Sequence, residues 1–214
     1  MSVLDPGKWV IVILVFLSPM VMTGNETRIK YAPAEENFVL VKGTSSLHDW
    51  SVKSDQIQGR VELKGMLGSL SLNEIFSSSS DAEKPVVQVS IPAASLISNK
   101  KAMDHNMYKA LKTSEYPAIT YDLKEITAVE IKDAARLIIQ TRGFLNVAGV
   151  SRTLEMSVTV DESKNNTIVF AGNTSFKMSD FEIKPPKAML GMLKTGNEVL
   201  IEFKWAISPS IKEE

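Results

Sequence analysis

Cysteine is absent from the 214-residue chain, which removes disulfides, thiolate nucleophiles, cysteine-ligated zinc and iron–sulfur clusters together. Charge of one sign is missing too: 24 Lys and Arg stand against 25 Asp and Glu, a formal net charge of -1. No positive field is therefore available to hold a polyphosphate, and nucleic acid is not an expected ligand. Histidine occurs only twice, as His48 and His105, each beside an aspartate, Asp49 and Asp104. A metal site needs at least three convergent ligands, which two His and two Asp could supply in principle, but a plainer reading is at hand and neither a metal nor another cofactor is expected. The plainer reading of Leu47–Trp50 is a strand entry with His48 hydrogen-bonded and Trp50 half buried; Asp104 and His105 then lie in the first turn of a helix, where Asp suits the dipole.

No serine has a G-x-S-x-G setting. Gly191 and Gly196 near Lys194 and Thr195 have neither P-loop nor dinucleotide spacing, and a strand follows where a helix should. An enzyme is not indicated. One using His48 or His105 requires the two histidines to converge in one cleft.

Only one long uncharged apolar run is present, Trp9 to Met22, fourteen residues. A membrane-crossing helix needs about 20, so the run suits the core of an export signal. Thr23 and Gly24 follow as a usable cleavage site without an A-x-A pattern. Residues 1–24 are read as a signal peptide or an uncleaved anchor, 25–35 as a linker, 36–209 as one domain, and 210–214 as a tail. A cleaved signal leaves no permanent membrane span. Export and the lack of cysteine point to a periplasmic or secreted protein of the bacterial envelope, held together by its core.

What the domain does have is alternation. Apolar residues make up 44% and charged residues 23%, enough for a real core. From about Glu35 the period is two, the mark of strands with one buried face. Ile57, Gly59, Val61 and Leu63 share a face; so do Val87, Val89 and Ile91; Ile119, Tyr121 and Leu123; and Leu154, Met156, Val158 and Val160. The longest such run places Val199, Ile201, Phe203, Trp205 and Ile207 together. Less regular strands are expected from Phe38, near Trp50, from Ala135 and from Thr167. One helical stretch interrupts them, with Met103, Met107 and Leu111 on a single face. It ends before Tyr116 and Pro117, where proline forces the preceding residue out of helical space.

Eight or so one-sided antiparallel strands must hide the apolar face in a sandwich or a barrel, and strands of this length suit a tilted barrel. The expected fold is all-β, an antiparallel lipocalin-like barrel of about eight strands with one short helix. Inward residues of medium size (Val61, Val87, Val89, Val158, Val199) and the gap at Gly59 keep a cavity open as a possibility. The connection bearing Ala188, Met189, Leu190, Met192 and Leu193 is unusually apolar; it either plugs one end of the core or lines the mouth of an apolar site.

Four segments together resemble one family, the YceI-like proteins: SLHDWSVKSDQIQGRVEL; VVQVSIPAASLISNKKAMDHNMYKALKTSEYPAITYDL; GFLNVAGVSRTLEMSV with Gly143, Leu145, Gly149, Val150 and Arg152; and FKMSDFEI with GNEVLIEF. They span about residues 36 to 207 in order. The resemblance implies an exported barrel that binds a polyisoprenoid along its bore, without catalysis, and often as a homodimer. It places the helix with Asp104, His105 and Met107, the Tyr116–Pro117 pair and Phe181 at the border of the pocket. With the inward or mouth positions, the candidate ligand-binding residues are His48, Trp50, Val89, Met103, His105, Met107, Tyr116, Tyr121, Phe181, Leu190 and Phe203. GTSSLHDW departs from the longer, more apolar first hairpin of common members, and Tyr108 and Leu111 stand where phenylalanine is frequent. The expected function is binding or carriage of an isoprenoid or similar long apolar lipid. The rival is an envelope protein–protein interaction module with a barrel filled by its own side chains.

Overall fold

The computed structural model describes residues 28–34, 37–64, 72–76, 84–163, 167–188 and 192–209. The apolar run at Trp9–Met22, the tail at 210–214 and Leu190 lie outside the described residues. Among those described, no helix is long and apolar enough to cross a membrane.

The described residues form eleven strands: β1 (Arg28–Pro33), β2 (Phe38–Ser45), β3 (Trp50–Ser54), β4 (Gln58–Lys64), β5 (Val86–Pro92), β6 (Ala118–Ile131), β7 (Arg136–Val147), β8 (Val150–Glu162), β9 (Ile168–Lys177), β10 (Lys187–Ala188) and β11 (Leu193–Pro209). All pairings are antiparallel. β4 to β9 form a meander, β9 pairs with β11, and β1 pairs with both β4 and β11. The circuit β1-β4-β5-β6-β7-β8-β9-β11 therefore closes with eight members, a lipocalin-like barrel.

β2 follows β1 along the same edge of β11, Pro33 opposite Ile207 and Phe38 opposite Lys204. β3 and β4 likewise follow one another along β2 and β1. Two of the eight walls are thus each built from a pair of strands separated by a short break. The segment read as a linker, 25–35, is corrected here, because Arg28–Pro33 is part of the sheet. Its backbone pairs on both sides although the alternation in its sequence, Ile29 and Tyr31 against Arg28 and Lys30, is only four residues long.

β6 contains two register shifts against β7, between Leu123 and Glu125 and between Ile126 and Ala128. Each bulge shifts the phase of the inward face, so Ile126 and Val129, three apart, both pack on the core.

The expected helix is α2 (Lys101–Leu111); a shorter one, α1 (Leu72–Phe76), lies between β4 and β5. α2 stops at Lys112, which adopts the left-handed conformation and donates its N–H to the Tyr108 and Lys109 carbonyls. Tyr108 Oη reaches back to the carbonyls of Ala94 and Leu96.

The apolar interior divides along the barrel axis. At one end, Val61, Leu63, Leu137, Val160, Phe170 and Ile207 pack with Leu72 and Phe76 of α1 as a solid plug. Toward the other end a second cluster gathers Val147, Met178, Phe181, Ile183 and Val199, with Leu111 of α2 against it.

Candidate functional site

Between the two clusters the barrel is hollow. A cavity of about 490 Å³ extends to Trp205 and Val39 at the filled end and to α2, the β2–β3 hairpin and the β10–β11 hairpin at the other. Its wall is built by the inward positions of nearly every strand: Val41, Val52, Val89, Ile91, Leu145, Leu154, Met156, Phe176 and Ile201. The volume falls within the roughly 300–1,000 Å³ of ordinary small-molecule sites.

Glycine and aromatic residues set the width of this space. The Trp50 ring lies against Gly43, its cross-strand partner, where a Cβ would come within 2.2 Å of the ring. Trp205 lies over Gly59, and a Cβ there would sit 2.7 Å from its ring. Tyr121 covers Gly143 and Phe203 covers Gly172 in the same manner. Each of these large side chains occupies room that a glycine leaves in the wall, so it lines the bore without filling it.

Polar groups are few and unevenly placed. Ser45, His48, Lys100, Asn106, Lys187 and Thr195 lie toward the α2 end, and Tyr121 and Thr174 deeper. The Tyr121 hydroxyl donates to Thr141 Oγ1 at 3.4 Å, and Thr141 donates to the Met156 carbonyl at 3.2 Å. Burial pushes the Tyr121 phenol above its ordinary pKa, against the opposing pull of the Thr141 hydrogen bond. Trp205 Nε1 is buried without a hydrogen-bond partner; leaving such a donor unpaired costs about 1–3 kcal/mol.

The sequence-derived candidates separate into groups. His48, Trp50, Val89, Met103, Met107, Tyr121 and Phe203 all line the cavity. The Trp50 indole donates to the Thr44 carbonyl at 2.9 Å, and His48 Nδ1 lies 2.8 Å from the Asp49 carbonyl oxygen. His105 is on the solvent face of α2, away from the wall that Met103 and Met107 form. Asp104 accepts from the Ser98 backbone N–H at 2.8 Å, tying the start of α2 to the loop before it. Tyr116 is 38% exposed and sits across Gly149, whose φ of +82° makes the β7–β8 turn possible. Phe181 is 3% exposed, packed 4.8 Å from the Phe176 ring, and supports the wall from behind. Leu190 is outside the described residues.

Other wall residues escaped selection as candidates, notably Leu154, Met156, Ile201 and Trp205. The signal that finds them was available, since each shares an alternating face with residues already assigned to the interior. Chemically the site can hold an elongated apolar molecule by excluding water from it, with polar atoms confined mainly to one end. Among the described residues no group of three or more His, Asp or Glu is placed to hold a metal ion.

Comparison with known proteins agrees with this geometry. The structure resembles a polyisoprenoid-binding domain from Saccharophagus degradans implicated in plant cell wall breakdown, with TM-score 0.63, 13% identity, and 86% of this chain and 100% of that one covered. It also resembles Burkholderia cenocepacia BcnA, with TM-score 0.56, 16% identity and coverage of 79% and 94%. The YceI protein of Campylobacter jejuni matches at TM-score 0.50 and 17% identity, with coverage of 74% and 84%. At such identities these likenesses concern the fold. No curated protein matches the sequence. The YceI-like domain model matches residues 38–207, nearly the whole of the closed barrel, and the chain belongs to the YceI-like family.

Proposed function

We propose that the protein is an exported, non-enzymatic binder or carrier of an isoprenoid or similar long apolar lipid, held in the hollow half of the barrel. The observation that carries this reading is the cavity of about 490 Å³ with an almost wholly apolar wall. Burying a hydrocarbon chain there is worth about 0.8 kcal/mol per methylene, with no catalytic group required. The polar groups toward the α2 end favour a chain threaded tail-first toward Trp205, with any oxygen-bearing head group near His48, Lys100 and Lys187. The Saccharophagus neighbour, described as a polyisoprenoid-binding domain, supports the ligand class. Export to the periplasm or beyond is supported by the uncharged run from Trp9 to Met22.

The reading is tested by native mass spectrometry of protein purified from its own host. A lipid adduct, lost on organic extraction, is expected; a barrel that is empty in every preparation refutes the proposal. An interaction module with a filled barrel is less favoured, because only one end of this barrel is filled.

A further inference from the structure

Two of the most exposed apolar side chains in the described structure stand beside one another at the rim of the cavity. Leu47, 72% exposed, is at the tip of the β2–β3 hairpin; Met192, 73% exposed, immediately precedes β11. Their loops are joined: the Ser46 N–H donates to the Lys194 carbonyl at 2.9 Å, and the Lys194 N–H donates to Ser46 Oγ at 3.1 Å. The apolar tips thus project from a braced pair of hairpins. Nothing in the barrel's own packing calls for them.

The charges around them are mostly positive. Lys100 and Lys101 at the start of α2, and Lys184, Lys187 and Lys194 on the β10–β11 side, are all exposed, and no described carboxylate forms an ion pair with any of the five. Of the acidic side chains on these elements, Asp104 is turned to Ser98, Glu182 pairs with Arg152 at 3.6 Å and Glu202 with Lys42 at 2.6 Å, leaving Asp49 on the rim and Glu198 further along β11. In a chain whose formal net charge is -1, this is a local separation of charge at the end where the cavity's polar groups lie. Apolar tips ringed by cations are the arrangement that settles into the headgroup layer of an anionic bilayer.

We propose that this rim docks on the surface of an anionic lipid bilayer, with Leu47 and Met192 entering the interface and the five lysines contacting its phosphates. The proposal deepens the carrier reading and rests on it: a lipid passing between bilayer and barrel then never crosses open water. The end plugged by α1 faces away, into solvent.

The absence of cysteine permits a local test on the full chain. Single Leu47→Cys and Ile131→Cys variants are labelled with an environment-sensitive fluorophore; Ile131, 56% exposed, ends β6 at the filled end. Vesicles of phosphatidylglycerol and phosphatidylethanolamine should shift the emission of the label at 47 to the blue and leave that at 131 unchanged. Phosphatidylcholine vesicles or high salt should abolish the shift. Lys100→Glu with Lys187→Glu should require at least about tenfold more vesicle for half the effect, since each surface lysine contributes about fivefold. Equal responses at 47 and 131, or none at 47, overturn docking; a label at 47 that is shielded without vesicles and in proportion to protein concentration overturns it in favour of a second copy of the chain. Native mass spectrometry of the Leu47→Cys and Ile131→Cys variants, neither of which alters a cavity-lining residue, separates the two proposals. Bound lipid without a shift defeats docking alone, whereas a shift with barrels that are always empty supports docking and defeats carriage.

Discussion

The two ends of the barrel use the same strands and the same alternation of inward residues, yet one is solid and the other hollow. At the filled end, α1 supplies Leu72 and Phe76, each nearly inaccessible, and the Phe170 ring packs 6.1 Å from Phe76 and 6.0 Å from Trp205. Toward the hollow end, the Trp50 and Tyr121 rings are pressed against Gly43 and Gly143, and α2 covers the space from the side with no fully buried residue of its own. Filling is therefore decided by where large side chains find room, not by how apolar the inward face is. One end provides the stability that lets the other remain empty.

The sharpest way to break this comparison is to add volume to each end. Val160, fully inaccessible in the plug, should not accept tryptophan: Val160→Trp should unfold the protein or cost more than about 3 kcal/mol in urea denaturation. Val89→Trp, on the cavity wall, should leave a folded barrel with native circular dichroism and abolish lipid retention. Equal damage from both substitutions would remove the distinction.

Removing volume gives a smaller contrast. Leu137, 1% exposed in the plug, should lose about 2–5 kcal/mol as Leu137→Ala, by creating a void in a close-packed region. Leu154→Ala, on a wall that already faces a cavity, should cost about 1 kcal/mol. The difference in denaturation midpoints measures how much tighter one end is than the other.

The smallest effect concerns proton binding. With its phenol held above the ordinary value of 10.0, Tyr121 stays protonated when folded at pH values where the unfolded chain ionises. Its contribution to stability is complete below pH 10.0 and declines as pH rises from there through the higher folded value. Tyr121→Phe should flatten that alkaline decline in urea midpoint by a fraction of its total, since Tyr108 is also raised, by desolvation first and Asp104 second.

Most of the barrel was readable because a half-buried strand must alternate. β7, β8 and β11 each follow a face that the residue pattern marks over most of its length. β1 was not readable: its order comes from pairing with β4 and β11, partners far away in sequence. α1 escaped notice because five residues beside a serine-rich stretch contain too little periodicity. Inside the barrel, the valines that suggested a cavity belong to both ends, Val61 and Val158 to the plug and Val89 and Val199 to the wall. What separates them is cross-strand register, such as Gly43 opposite Trp50 and Gly172 opposite Phe203, and register is not written in any one segment.

The four glycines beneath the aromatic rings give the tunnel an adjustable calibre. A methyl group added at Gly43 meets the Trp50 ring, at 2.2 Å, and so levers that indole inward and narrows the passage at a chosen depth; one at Gly59 presses on the Gln88 carbonyl oxygen, at 2.4 Å, as well as on Trp205. A designed series of replacements there should change the calibre while keeping the same closed circuit of strands, and so offers a ruler for the proposed guest.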